Sequence, residues 1–561
     1  MLLNEKPERS ETMSGIFSTL NTARRGMFAQ QQAVSTAGHN IANAATEGFS
    51  RQRVHMTATP GFLIPNAGVV GTGVDIVSIS RIRDSYLDVQ IRLEKAIAGN
   101  YKARQEILEQ VEMVFMEPGE TGLNTIMGRM WDAWQELAKS PENSNARTVV
   151  RDNAKTFTDS LNHLYEQLNT LKKDSISIAE KKIFDAESIL TQIKSLNDQI
   201  FKIKLKNQEP NDLMDQRDLL LDKLSEIMDF SASEDKYGRV IIESAGRTIL
   251  QTEKGNEMPL QMSLVRSIET LEDGRVQVVL VRGGDSIDGL TTLAMTQEEY
   301  DSYALDENSP SFLQEGAVVF NDPSWNDNYH GNAGLSLFEV NHGELKGYQD
   351  ISTEVAKYQS QLDGLARAVA YAVNTIHADN GDPDGHSPVS FFVGEGGSSD
   401  ISSINAGNIR VNQAIFDDMD NINTGRAWDS PEGNGERALA IARLRNAWLP
   451  IQEFIENPDT TAAYNADEMK FENISGGSTF EGYFKDVIAG LGISAEQAKR
   501  KVENQDALTG QLIQRRYSVS GVSIDEEIAC LIQYQHAYQA NANVISTLTA
   551  MLDTLINRMG V

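Results

Sequence analysis

The clearest pattern lies at the two ends of the chain. Between Met13 and Thr46 the apolar positions Ile16, Leu20, Ala23, Met27, Val34, Ala37, Ile41 and Ala44 recur in alternating steps of four and three, with Gln30 in the one gap. A seam sustained over about four heptads predicts a helix that packs as a coiled coil. The last forty residues repeat it: Ile524, Ile528, Leu531, Tyr538, Ala542, Ile545, Leu552, Ile556 and Met559 share one seam, interrupted by Gln535 and Thr549. Two terminal helices with matching seams are the simplest partners for each other.

Inward from the ends, residues 85–116 and 121–229 read as long helices interrupted at Pro118 and near Pro141. Leu161, Leu164, Leu168 and Leu171, then Ile189, Ile193, Leu196 and Ile200, carry helical spacing. From Phe230 the pattern turns to β, with GRVIIE and GRVQVVLVRGG supplying β-branched runs bounded by glycine. Helix returns at Leu345, runs to His377, and resumes from Glu436 through Arg516. The fold class expected is mainly α with a β insertion. A terminal α-helical coiled coil (13–80 with 517–561) carries a long-helix bundle domain (81–229 with 345–380 and 436–516). An outer β-rich domain (230–344) is nested in the middle of the chain, and 381–435 forms a loop-rich return with short strands. The acidic, Asn- and Gly-rich stretch from Glu298 to Asn341 suits an exposed surface.

Charge changes this picture. The 561 residues carry a formal net charge of -30, which opposes binding to nucleic acid and to acidic membrane surfaces. Yet from Gly26 to Thr46, and from Leu531 to Met551, there is no Asp, Glu, Lys or Arg. A solvated coiled coil normally carries Glu and Lys beside its seam. Gln, Asn, Ser, Thr, Ala and His stand there instead, and such residues suit surfaces that pack against further protein because no charge is stranded. Cys530 is the single cysteine, so no disulfide framework or thiolate metal site is available. Glu5, Lys6, Glu8 and Arg9 interrupt the N-terminus where a secretory signal needs an apolar core, and no run of about 18 apolar residues predicts a membrane insertion.

The search for catalytic chemistry is negative: HExxH, Walker, GxSxG and Cys-x-x-Cys motifs are all missing. Asn380, Asp382, Asp384 and Gly385 match the start of an EF-hand loop, but the twelfth position is Phe391 where a bidentate Glu is needed. A solvated turn is the better reading, and GEGGSSD at Gly394 to Asp400 reads as a loop rather than a phosphate cradle. No catalytic residue, metal or cofactor is expected. His39 and His536, on the terminal helices, read as packing or hydrogen-bonding residues.

The stretch NIANAATEGFSRQ, Asn40 to Gln52, begins as a helix and ends as a strand. Gly48 can adopt a positive φ at little cost and stop the helix, Asn43 and Thr46 can bond backbone groups freed there, and Phe49 opens an extended segment with Val54 and Met56. The segments LNTARRGMFAQQQAVSTAGHNIANAATEGFSRQRV and SGVSIDEEIACLIQYQHAYQANANVISTLTAMLDTLINRMGV resemble the two ends of bacterial flagellar axial proteins. SRQ and SGVSIDEE point to the branch that joins hook to filament. NDLMDQRDLLLDKLSEI, GELKGYQD and AVNTIHADNGDPDGHSPVSFF are similar to inner segments of the same family.

The resemblance implies a non-enzymatic structural subunit, with a start near Met13 and without the extra outer domain that some relatives carry after Asp418. It implies export in an unfolded state, passage from the cytoplasm to the cell exterior, and polymerisation through the terminal helices. The partners implied are further copies in a helical ring, the hook protein, a second hook-filament junction protein, a cytoplasmic export chaperone on the C-terminal helix, and the flagellar export apparatus. The assembly residues implied are Ile16, Leu20, Met27, Val34 and Ile41 on the N-terminal seam, and Ile524, Ile528, Leu531, Tyr538, Ile545, Leu552 and Ile556 on the C-terminal seam. Asn40, Asn43, Thr46, Gly48, Phe49, Ser50, Arg51 and Gln52 form the turn motif, with Arg51 and Gln52 available for contacts between subunits or simply part of a helix-to-strand corner. The alternatives are another axial protein of hook or rod, or an exported wall hydrolase, which would need two carboxylates in distinct environments.

Overall fold

A computed structural model describes the chain except residues 1–7, 65–67, 116–121, 259, 283–289, 304–312, 322–334, 380–388, 428–429 and 559–561. The EF-hand-like turn at Asn380 to Gly385 and parts of the acidic stretch after Glu298 therefore lie outside the described residues.

The chain runs out through helices and returns through helices. α1 (Glu8–Ala42) is followed by a ribbon of β1 (Gln52–Ala58), β2 (Phe62–Ile64), β3 (Gly68–Val70) and β4 (Val74–Arg81), in which β1 pairs antiparallel with β4 and β2 with β3. Next come α2 (Ser85–Phe115), α3 (Leu123–Lys139), α4 (Ser144–Lys204) and α5 (Asn211–Ile227). The 61 residues of α4 extend about 90 Å. Asn143 caps the start of α4 by accepting from the Asn145 N–H.

The β insertion forms two antiparallel sheets. β5 (Ser231–Glu234), β6 (Val240–Ser244) and β7 (Arg247–Leu250) make one meander. The other is built from β8 (Gln261–Thr270), β9 (Val276–Arg282), β10 (Leu290–Met295), β11 (Val318–Asn321) and β12 (Leu335–Leu337), in the spatial order β10-β9-β8-β11-β12. Within this second sheet Val265, Val276, Val278, Leu280 and Val319 bury a small core of their own. α6 (Gln297–Asp301) is a single capped turn beside it, closed by Thr296 and Glu299 in a reciprocal capping box.

α7 (Glu344–His377) returns through the centre of the molecule, buried nearly all round between α2 and α4. Close approach is possible because a Cβ at Gly347 would lie only 2.6 Å from the Asn100 carbonyl oxygen of α2. The return continues through β13 (Phe392–Val393), β14 (Arg410–Val411), α8 (Gln413–Asp417), α9 (Glu436–Arg443), α10 (Glu453–Glu456), β15 (Tyr464–Asn465) and β16 (Lys470–Phe471) to α11 (Phe480–Ser520) and α12 (Ile524–Asp553). Trp131, Trp134, Phe157, Phe391 and Phe480 are all buried in the main core.

Two helical expectations need correction. The helix read as continuous from Pro141 to residue 229 breaks between Lys204 and Asn211, where Asn207 takes a positive φ of 54° and Pro210 precedes the new helix. The helix expected from Glu436 to Arg516 is also not continuous. Pro450, Pro458 and the Gly476-Gly477 pair divide it, and the residues between α9 and α11 form short turns and the β15–β16 hairpin.

Candidate assembly interface

α1 and α12 pack against each other, and α1 also lies along the β1–β4 ribbon. The innermost positions of α1 are small: Ala23, Gly26, Ala29, Ala33 and Ala37 are buried. Small residues let the backbones approach, and a Cβ at Gly26 would meet the Asn541 side-chain oxygen of α12 at 2.8 Å. The larger seam residues flank that line. Ile16, Leu20, Met27, Val34 and Ile41 are half-buried, as are Leu531, Tyr538, Ile545 and Leu552. Ile524, Ile528 and Ile556 are 49, 45 and 67% exposed. Over the 30 residues of α12 the one buried residue is Glu527. Ile532, Val544 and Met551 stand between 41 and 52% exposed, and Phe28 of α1 is 67% exposed.

The turn forms as its residue types dictate. Gly48 sits at φ 79°, Asn43 Nδ2 donates to the His39 carbonyl at 3.0 Å, and Thr46 Oγ1 donates to Asn43 Oδ1 at 3.2 Å. His39 packs edge-on against Phe49 and reaches Asp212 of α5 at 3.2 Å. Asn40 is buried, and its amide closes a two-way bond with the backbone of Gln52: Nδ2 donates to the carbonyl at 2.9 Å and Oδ1 accepts the N–H at 3.0 Å. Arg51 and Gln52 are both engaged within the chain. Arg51 Nε donates to Glu527 at 2.6 Å and its Nη1 to Glu526 at 2.9 Å, while Gln52 Nε2 donates to Asp212 at 2.7 Å. Burial lowers the Arg51 pKa, but Glu527 and Glu526 outweigh it and hold the guanidinium more firmly protonated than usual.

Beneath the turn lies an ion network that joins the terminal elements to the helical body. Ser50 is buried and donates its N–H to Asp215 at 2.9 Å. Arg81 Nη1, at the end of β4, donates to Asp215 at 2.8 Å and Asp218 at 2.7 Å. Arg83 donates to Asp88 of α2, Arg92 to Asp222 of α5, and Arg516 of α11 to Asp222 at 2.5 Å. Burial would raise the Asp218 pKa, but Arg83, Arg81, Arg217 and Arg92 surround it and the net shift is downward. For Asp215 burial prevails and the shift is upward. Buried charges persist only when paired and hydrogen-bonded, as here. The sequence reading missed this joint. Its signal was available: Asp215, Asp218 and Asp222 recur at steps of three and four on one face of a helix, and Arg81 and Arg83 recur at the strand spacing of two.

Above the network an open cavity of about 510 Å³ separates the turn from the α11–α12 link, lined by Gly48, Phe49, Arg83, Arg516 and Ser520 among others. Among the described residues no group of three or more His, Cys, Asp or Glu could hold a metal ion, and no helix is long and apolar enough to cross a membrane.

Comparison with known proteins finds sequence similarity over nearly the whole chain. Three family models match: the helical domain of flagellar hook-associated protein FlgK over residues 108–295, the C-terminal region of flagellar basal body rod proteins FlgEFG over 513–559, and the flagella basal body rod protein over 20–49. The chain is 29% identical to flagellar hook-associated protein 1 of Bacillus subtilis, covering 98% of this chain and 99% of the relative. It is 24% identical to the Salmonella typhimurium protein of the same name, covering 96 and 99%. The solved flagellar hook junction protein FlgK from Burkholderia pseudomallei superposes with a TM-score of 0.51 at 13% identity, over 77% of this chain and all of that one, a likeness of fold.

Proposed function

This chain belongs to the flagellar axial protein family, as a full-length homologue of flagellar hook-associated protein 1, and from that premise we propose how its structure serves the junction between hook and filament. It is an extracellular structural component of the bacterial flagellum, not an enzyme. The paired terminal helices are its polymerising element. One observation carries this: α12 is rich in Ile, Leu, Tyr, Val and Met, yet its one buried residue is a carboxylate. Burying an apolar side chain fully contributes roughly 1.5–3 kcal/mol, so covering the half-exposed Ile528, Ile532, Val544 and Met551 adds several kcal/mol per subunit on assembly.

The neighbours that cover these faces are further copies in a helical ring, with the hook protein on one side and the second junction protein on the other. Residues 13–80 and 517–561 line the inner tube, and the two β sheets stand outside the long helices. Before export the same exposed C-terminal helix is the surface an export chaperone covers, and the chain leaves through the flagellar export apparatus. The uncharged flanks of both helices support close packing, since neighbouring subunits bring together no stranded charge.

The test is to add the purified protein to isolated hooks and to inspect the distal ends by electron microscopy, beside a version truncated after Arg516. Caps formed by the full chain and not by the truncation are expected. Equal capping by both would overturn the terminal-helix assignment.

A further inference from the structure

The N- and C-terminal segments of the chain are tied together at one side chain. The Glu527 side chain is 5% exposed, and its two oxygens serve different partners. Oε1 accepts from Arg51 Nε at 2.6 Å, and Oε2 accepts from Asn40 Nδ2 at 3.1 Å. Both partners are in turn fixed to the strand that leaves the turn. Asn40 holds the Gln52 backbone at both its N–H and its carbonyl. The Arg51 N–H donates to the Ser520 carbonyl at 2.9 Å, and the Arg51 carbonyl accepts from Ile82 at 2.8 Å. One carboxylate of α12 thus touches the end of α1 and the start of β1, and through Arg51 reaches the residue that closes the ribbon.

We propose that Glu527 is a positioning residue that couples the setting of the N-terminal turn to the docking of the C-terminal helix. A carboxylate this deeply buried is tolerated only while Arg51 and Asn40 are in place. If α12 docks before the turn has closed, Glu527 is buried without its cation. If the turn closes before α12 docks, Arg51 lacks its nearest anion and Asn40 loses one acceptor. Each half-formed state carries an unpaired polar group, so the two ends order together. The direction in which α1 leaves the body then depends on a residue 476 positions further along the chain. Glu526 also touches Arg51 but is 65% exposed, so water can replace that contact and the coupling is assigned to Glu527 alone.

The test is amide hydrogen exchange on the full-length protein, comparing wild type with Glu527→Gln, Arg51→Gln, the double variant and Glu526→Gln. Glu527→Gln is expected to speed exchange of the Arg51 and Gln52 amides at least about tenfold, with protection in α3 and α4 unchanged. The double variant should exchange more slowly than the product of the two single effects, because removing both charges leaves none stranded. Glu526→Gln should change the rate less than about twofold. Unchanged exchange at Arg51 and Gln52 in Glu527→Gln, single effects that multiply independently, or an equal response to Glu526→Gln would each overturn the proposal.

Discussion

Acid should loosen the helical body through one histidine. His377, the last residue of α7, is fully buried. Its Nδ1 lies 2.8 Å from the Val389 carbonyl, and Nε2 lies 3.0 Å from the Asn423 backbone nitrogen. The carbonyl can only accept and the backbone N–H can only donate, so the neutral ring carries its proton on Nδ1 and accepts at Nε2. A second proton on Nε2 would point at an N–H. Burial, with the fixed charge of Arg437 adding to it, lowers the pKa to about 4 from the ordinary 6.5. The unfolded chain therefore binds a proton between pH 6.5 and 4 that the folded chain refuses. Stability is complete above 6.5 and falls as the pH drops towards 4, by about 3 kcal/mol from this group alone.

The comparison that isolates it is wild type against His377→Gln, unfolded in urea at pH 7 and at pH 4.5. The carboxylates and the other histidines titrate alike in both proteins and cancel. At pH 7 the variant should be the less stable, by about 1–3 kcal/mol for the disturbed hydrogen bonds. At pH 4.5 that deficit should shrink by roughly 2 to 2.5 kcal/mol, because only the wild type loses the histidine contribution. Fluorescence of Trp134, whose ring lies 6.4 Å from that of His377, reports the site directly. An equal deficit at the two pH values would refute the reasoning.

Three further perturbations address other parts of the molecule. Leu552→Asp, which places a charge on the half-buried C-terminal seam, should abolish incorporation at the hook end while the circular dichroism and unfolding of the body stay unchanged; normal filaments grown from this variant would refute the seam assignment. Arg83→Met strips a cation from beside Asp88, Asp215 and Asp218 and should cost about 3–5 kcal/mol by urea unfolding, with little dependence on salt because the group is shielded from solvent. Gly343→Ala should destabilise the body by more than about 2 kcal/mol, since Gly343 sits at φ 106° and a Cβ there would collide with the Ile227 carbonyl oxygen; a thermal midpoint within a degree of wild type would contradict the geometry.

The elements with long periodic patterns were legible in the sequence, and so were the terminal helices and their pairing, although α1 ends at Ala42, several residues before the Gly48 turn. These follow from local chemistry: helical spacing, a glycine that tolerates positive φ, and Pro141 at a break. The uncharged flanks were legible as well, because a missing charge is a property of composition. Residues 444–479 were misread because scattered apolar residues mimic helical spacing when the prolines between them are given too little weight. The seam shows a subtler gap. Periodicity identified the larger apolar residues, whereas the closest contact runs along Ala23, Gly26, Ala29, Ala33 and Ala37, whose small size sets the helix separation.

By itself the sequence determined the class of the molecule: two terminal helices with long uncharged stretches, Gly26 to Thr46 and Leu531 to Met551, long helices between them, and a β excursion in the middle. Only the tertiary structure decided which charges are buried and with whom. Arg51 and Glu527 lie 476 residues apart in the chain, and Arg81 lies 134 residues from Asp215. No local pattern carries such a pairing, because the energy of a buried ion pair depends on distance and exclusion of water, and both exist only once the chain has folded back on itself.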